Sequence, residues 1–174
     1  MLSLTTIATA CLITLLICLP AHSAADPADT ALRVILRAEP MRCDYTEGCS
    51  CASYNQPASP YAKARACPAG GGKIAFLAWD ASGNKVEEGE FIGVVKHGPW
   101  VDWHTNGVRA SESRFDRGKQ IGPFKAWHDN GKIAIVGQFH DGKPHGSWLH
   151  YASNGSLKNR QVWEKGVLVF QRER

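Results

Sequence analysis

A 24-residue step governs the second half of this 174-residue chain. The stretch GPWVDWHTNG (98–107) recurs as GPFKAWHDNG (122–131) and as GSWLHYASNG (146–155), and no gap is needed to align them. Gly98, Gly122 and Gly146 coincide, as do Trp100, Phe124 and Trp148, and then Trp103, Trp127 and Tyr151. The dipeptides Asn106-Gly107, Asn130-Gly131 and Asn154-Gly155 fall in register, followed by Phe115, Phe139 and Trp163 and by Gly118, Gly142 and Gly166. A worn fourth copy precedes them, with Phe76, Trp79, Gly83 and Phe91 in the same columns. Self-similarity at such a period confines the chain to repeat architectures, in which stacked units bury together what one unit cannot bury alone.

Each unit has the chemistry of a β-hairpin. Asn-Gly between apolar-rich segments is the favoured type I′ turn, since both positions tolerate positive φ, and the second glycine column, as in Asp141-Gly142, makes the return turn. The expected fold is therefore all-β: a single elongated antiparallel meander of stacked hairpins with repeats at about 74–97, 98–121, 122–145 and 146–169. Strand alternation assigns Trp100, Phe115, Phe124, Ile133, Ile135, Phe139, Trp148, Leu157 and Trp163 to one face, expected to be buried. The opposite face receives Trp79, Trp103, Trp127 and Tyr151 among Val101, Lys125, Val136, Lys158 and Arg160. Two readings of this second aromatic row stay open: rings stacking on one another between repeats, or a groove for a partner.

These columns resemble the MORN repeat, in the bacterial variant with the pattern G-x-W-x-x-Y-x-x-N-G followed by an aromatic residue and a glycine. The resemblance spans residues 74–169 and departs at Ser82, where Asn is expected, and at Ile74, where Gly is expected. It implies a stacked β-hairpin sheet that binds or scaffolds and performs no chemistry. Bacterial members often carry an antitoxin label, and eukaryotic relatives are associated with membranes and lipids.

The start of the chain is different. Residues 1–24 carry no charge, and the apolar run Cys11–Leu19 is followed by Pro20 and small residues, as in a secretory signal peptide. Export makes the protein periplasmic or secreted, with outer-membrane lipidation at Cys18 disfavoured by Ile17 beside it. In an oxidising compartment Cys43, Cys49, Cys51 and Cys67 form two disulfides, Cys43 and Cys67 each pairing with one member of Cys49-Ser50-Cys51. Residues 25–72 are thus expected to form a small disulfide-bonded cap over the array at 73–174, with Gly70-Gly71-Gly72 at the boundary. Within it, ALRVILRAEP suits a strand or a short helix. At the other end VLVFQRER is an apolar strand followed by charges, which suits a guarded sheet edge.

The array carries His97, His104, His128, His140, His145 and His150, of which the last three sit around one turn. Their placement suits polar rims rather than metal ligation, and no cofactor or metal is expected. Serines such as Ser111 and Ser113 lack an elbow motif, and no glycine-rich loop leads into a helix, so enzymatic function is not expected. With 44% hydrophobic and 21% charged residues the chain is not disordered throughout. The formal charge of +4 belongs to the array, where lysines and Arg160 accompany the aromatic row. Export disfavours nucleic acid. The expected partner is a protein meeting Trp79, Trp103, Trp127, Tyr151, Lys125, Lys158 and Arg160, with an anionic lipid or envelope polymer as the alternative.

Overall fold

The computed structural model describes residues 27–38, 43–44, 48–49, 52–55 and 61–173. Residues 1–24, expected as a signal peptide, and Cys51 lie outside the described residues. Helix α1 (Pro27–Ala38) comes first, followed by fourteen strands. These are β1 (Cys43–Asp44), β2 (Gly48–Cys49), β3 (Ala52–Asn55), β4 (Lys63–Pro68), β5 (Lys73–Trp79), β6 (Lys85–Ile92) and β7 (Val95–Trp103). Next come β8 (Arg109–Asp116), β9 (Lys119–Gln120), β10 (Gly122–Trp127), β11 (Ile133–His140), β12 (Lys143–Tyr151), β13 (Leu157–Glu164) and β14 (Val167–Glu173). β1 and β2 pair with each other, and the rest form one open sheet whose neighbours follow chain order from β3 to β14, with the short β9 beside β8. Every pairing is antiparallel.

The segment ahead of the repeats joins this sheet. β3 and β4 continue it, and Gly70-Gly71-Gly72 form the tight turn into β5, closed by a bond from the Lys73 N–H to the Gly70 carbonyl at 3.0 Å. ALRVILRAEP falls largely in the helix. Pro27 begins α1, where its missing N–H is not needed. Ala28, Ala31 and Leu32, at helical spacing, are buried in one cluster with Ala64, Ala66, Phe76, Phe91 and Trp100.

The turns correct the expectation about Asn-Gly. In the third repeat Gly131 N–H donates to the His128 carbonyl at 2.9 Å and His128 N–H to the Lys132 carbonyl at 2.8 Å. That is a three-residue loop, a type I turn followed by a left-handed glycine, with Gly131 at φ +80° and Asn130 at negative φ. The type I′ turns lie at the other end, where both residues have positive φ: Arg117-Gly118 (46°, 80°), Asp141-Gly142 (52°, 78°) and Lys165-Gly166 (50°, 86°). Gly131→Val should lower the melting temperature, with a loss of about 2 kcal/mol, because a β-branched residue resists the left-handed region. An unchanged thermal melt would reject this turn geometry.

The longer loop is offset by a bulge one residue into the next strand. Trp127 pairs Ile133 while Ala126 pairs Ile135, so Ala134 is extra. Beyond it the register returns to that of a two-residue turn, and Phe124 opposes Gly137. Ile133 and Leu157, expected on the Trp100 face, are instead the direct partners of Trp127 and Tyr151 and share their face. Alternation counts residues evenly, and a bulge breaks the count. A second irregularity explains the first glycine column. Gly98, Gly122 and Gly146 have φ near +70° (71°, 69°, 70°), and at Gly146 the register steps by two, from Gln138↔His145 to Val136↔Leu149. An even step leaves the faces unchanged.

Face A, on which α1 lies, holds an alternation of large and minimal residues across the strands. Phe76 opposes Gly89, Gly89 opposes Trp100, Trp100 opposes Ser113, and Phe124 opposes Gly137. The rings lean over the small residues and meet each other. Phe76 stacks on Trp100 (centroids 6.1 Å, interplanar 29°), and Phe91 meets Trp100 edge-on at 5.1 Å. At 48 residues' remove Phe124 stacks on Trp148 (5.5 Å, 29°), and Phe139 meets Trp148 edge-on at 5.0 Å. The core is one aromatic cluster built twice.

Candidate partner-binding surface

Face B carries the residues singled out from sequence. Its first row runs across the strands as Trp79, Lys85, Trp103, Arg109, Trp127, Ile133, Tyr151 and Leu157, each aromatic opposed by the residue after it. Among the described residues no two rings of this row touch. Equivalent rings are two strands apart, about 10 Å, and the intervening strand fills the gap. Lys85 Nζ lies 3.8 Å from the centroid of Trp103, and Lys63 Nζ 5.4 Å from that of Trp79. Stacking between repeats does occur, but on face A. Trp79, Trp103, Trp127 and Tyr151 are all half-buried, with the exposed part turned to solvent.

The second row runs Glu88, Val101, Glu112, Lys125, Val136, Leu149, Arg160 and Arg172, every neighbour a direct cross-strand partner. Its charge is asymmetric. At the β6–β8 end the carboxylates are neutralised, Glu88 by Lys85 at 2.7 Å and Glu112 by Arg109, and beside the row Glu90 is held by Lys73 at 3.0 Å. Farther along, Lys125, Arg160 and Arg172 have no carboxylate within ion-pair distance among the described residues, and Val136 and Leu149 lie between them. Lys158 is the extra residue in the bulge of β13 and has no partner on β12. Two adjoining hollows of about 270 Å³ each open on this face and share Pro99 and Val101.

The histidines and asparagines tie the repeats together. His104 Nε2 donates to the Trp127 carbonyl at 2.8 Å, and His128 Nε2 to that of Tyr151 at 2.9 Å. Asn106 and Asn130 donate their side-chain amides to the carbonyls of Asp129 and Ser153, both at 2.7 Å. Each bond reaches one repeat onward, so these columns set the spacing of the aromatic row. Of the three histidines around one turn, His140 and His145 approach to 6.0 Å between centroids, while His150 pairs with Ile135 and Asn159 on face A. No group of three or more metal-ligating side chains converges among the described residues.

Two kinds of residue escaped the periodic reading. Gly89 and Gly137 each stand eleven positions before a tryptophan, and Ser113 eleven before a phenylalanine, a correlation visible only when the step is taken as 48. Phe170 and Arg172 fall in the glycine and aromatic columns when the 24-residue shift is applied once more. That departure from the pattern was the available signal.

Geometry of this kind defines a class: a repeat-built antiparallel meander with one aromatic core face and one mixed aromatic and charged face. Residues 120–141 match the family described as MORN repeat variant. The chain therefore contains a MORN-type repeat there, and the unbroken 24-residue register relates the neighbouring units to it. No curated protein matches the chain.

Proposed function

We propose that this is an exported, non-enzymatic binding protein that holds a protein partner on face B, with a periplasmic immunity or antitoxin role as its specific form. The observation that carries this is Lys125, Arg160 and Arg172, outside ion-pair distance of any described carboxylate, set beside exposed Ile133 and half-buried Val136, Leu149 and Tyr151. Cations between apolar anchors, desolvated only when a partner covers them, are what a protein interface uses for orientation and specificity. Export is supported by the leader sequence and by the cysteines. Cys43 is the direct backbone partner of Cys49, and Cys67 is disulfide-bonded, as suits an oxidising compartment. The immunity role draws on the family resemblance alone.

The test is capture by the tagged full chain from native envelope, with Lys125→Glu as comparison. A discrete protein should be recovered by the wild type and lost with the variant, which stays folded because Lys125 is exposed, at the small cost of a glutamate opposite Glu112. Recovery of no protein under several mild conditions would count against the reading. The same cations also suit anionic lipid. Flotation with anionic vesicles that weakens with salt and is lost in Lys125→Glu would replace a protein partner with a membrane surface.

A further inference from the structure

β14 breaks the repeat, and the break builds something. One further 24-residue step carries Gly146 onto Phe170 and Trp148 onto Arg172. Without the left-handed glycine the two-residue bulge is lost. A single extra residue, Val169, remains between the pairs Trp163↔Leu168 and Val162↔Phe170. An odd step reverses the faces, so Phe170 and Arg172, which the period would place on face A, come to face B. Arg172 there opposes Arg160 directly, and like charges in that relation are unfavourable without an anion between them. Arg160 also donates to Ser147 Oγ at 3.1 Å, and Glu173 accepts from Gln171 rather than pairing with either arginine. Leu157, Asn159, Phe170, the two arginines and Glu173 wall a hollow of about 450 Å³.

The same strand is the sheet's outer edge in the described residues. Val167, Leu168, Val169 and Phe170 are 64%, 41%, 51% and 47% exposed, four of the seven exposed large hydrophobics among the described residues. Sheet edges are ordinarily blunted by charge, proline, a bulge or a covering element; the apolar part of β14 has only the one-residue bulge at Val169, beyond which Phe170–Glu173 run in regular register. An edge with free backbone groups, apolar side chains and a pocket beside it is the arrangement that receives an added strand.

We propose that β14 is the docking edge for an extended segment of the protein partner, which adds a strand to the sheet and places a carboxylate between Arg160 and Arg172. This rests on the protein-binding reading above and gives it a mode and an address. Charge complementarity selects an acidic, apolar-alternating segment.

The probe is a synthetic peptide alternating glutamate with valine, titrated against the full chain, with lysine-for-glutamate and backbone N-methylated versions as controls. The acidic peptide should bind, slow amide exchange along Phe170–Glu173, and lose about tenfold or more in affinity with Arg172→Glu, whose melting temperature is no lower than the wild type's because the substitution removes the repulsion from Arg160. Equal binding by the lysine peptide or by the N-methylated peptide overturns the proposal, since neither charge nor strand pairing would then matter. Sedimentation showing a dimer that Arg172→Glu dissociates assigns the edge to a second copy. Vesicle binding lost in Arg172→Glu without peptide binding assigns it to lipid. Either result overturns the strand proposal. Envelope capture that survives Arg172→Glu but not Lys125→Glu rejects this edge and leaves the face B reading standing.

Discussion

Gly137→Ala should lower the stability of the protein by about 3 kcal/mol, an exceptional amount for the addition of one methyl group. A Cβ at Gly137 would lie 2.3 Å from Cδ2 of Trp148, and the atoms it meets belong to the ring itself, with no flexible end that can swing aside. Trp148 must therefore lift from the sheet. It then loses its stack on Phe124 and its edge contact with Phe139, which approaches the cost of truncating a buried aromatic. The melting temperature should fall by roughly 10 °C. The middle unit shows how the damage is repaired, since there Ser113 is accompanied by the smaller ring of Phe124. Gly137→Ser combined with Trp148→Phe should recover much of what Gly137→Ser alone loses, a coupling that a double-mutant cycle measures directly. Additive effects in that cycle would show that ring and glycine do not depend on each other. Gly89→Ala should behave alike, with its Cβ 2.2 Å from the Trp100 ring.

Lys96→Met should cost about 3–5 kcal/mol near neutral pH and much less in acid. Glu87 is only 7% exposed, accepts hydrogen bonds from Tyr61 Oη and from Lys96 Nζ at 2.8 Å, and lies near Asp102. Lys96 Nζ also sits 3.8 Å from the Trp100 ring centroid. Burial pushes the Glu87 carboxyl above its ordinary value, against the opposing pull of Lys96. A carboxylate raised on folding takes up a proton in the native state. Its contribution is therefore complete below the unfolded-state value and is lost as pH rises through the folded-state value. Removing Lys96 enlarges that upward shift, so the variant should lose stability over a wider and higher pH range than the wild type. Thermal melts from about pH 4 to pH 8 decide it, because the gap between the two proteins must widen as pH increases. A constant gap would mean that Lys96 acts through packing on Trp100 alone. Glu87→Gln in the Lys96→Met background should flatten the dependence.

The repeat step was legible because it is written residue by residue, and stacking follows from it. The aromatic core positions Trp100, Phe115, Phe124, Phe139 and Trp148 could be read for the same reason: they lie where two strands per period keep parity intact. Ile133 and Leu157 could not be placed correctly, because their face depends on a one-residue bulge. That bulge is produced by a turn whose Asn130 keeps negative φ and spends its side chain on the next repeat. Asn-Gly is compatible with either turn, and the dipeptide alone does not choose.

Of the candidate site, the aromatic row could be recognised as a row, yet its spacing by Lys85, Arg109, Ile133 and Leu157 could not, since those partners come from the following strand through the same bulge. The pairing of Arg160 with Arg172 was likewise out of reach. It depends on how many residues β14 skips at Val169, a balance between backbone φ and side-chain burial that involves two strands at once.

The sequence by itself determined that this chain is a stacked antiparallel meander with a 24-residue step, because hairpin turns and aromatic columns are local and recur. Only the tertiary structure decided which side chains share a face next to each turn, that Trp148 rests on a bare Gly137, and that α1 lies on face A. Those are matters of register and cover. They are set by contacts between residues far apart in the chain, and a periodic pattern carries no record of them.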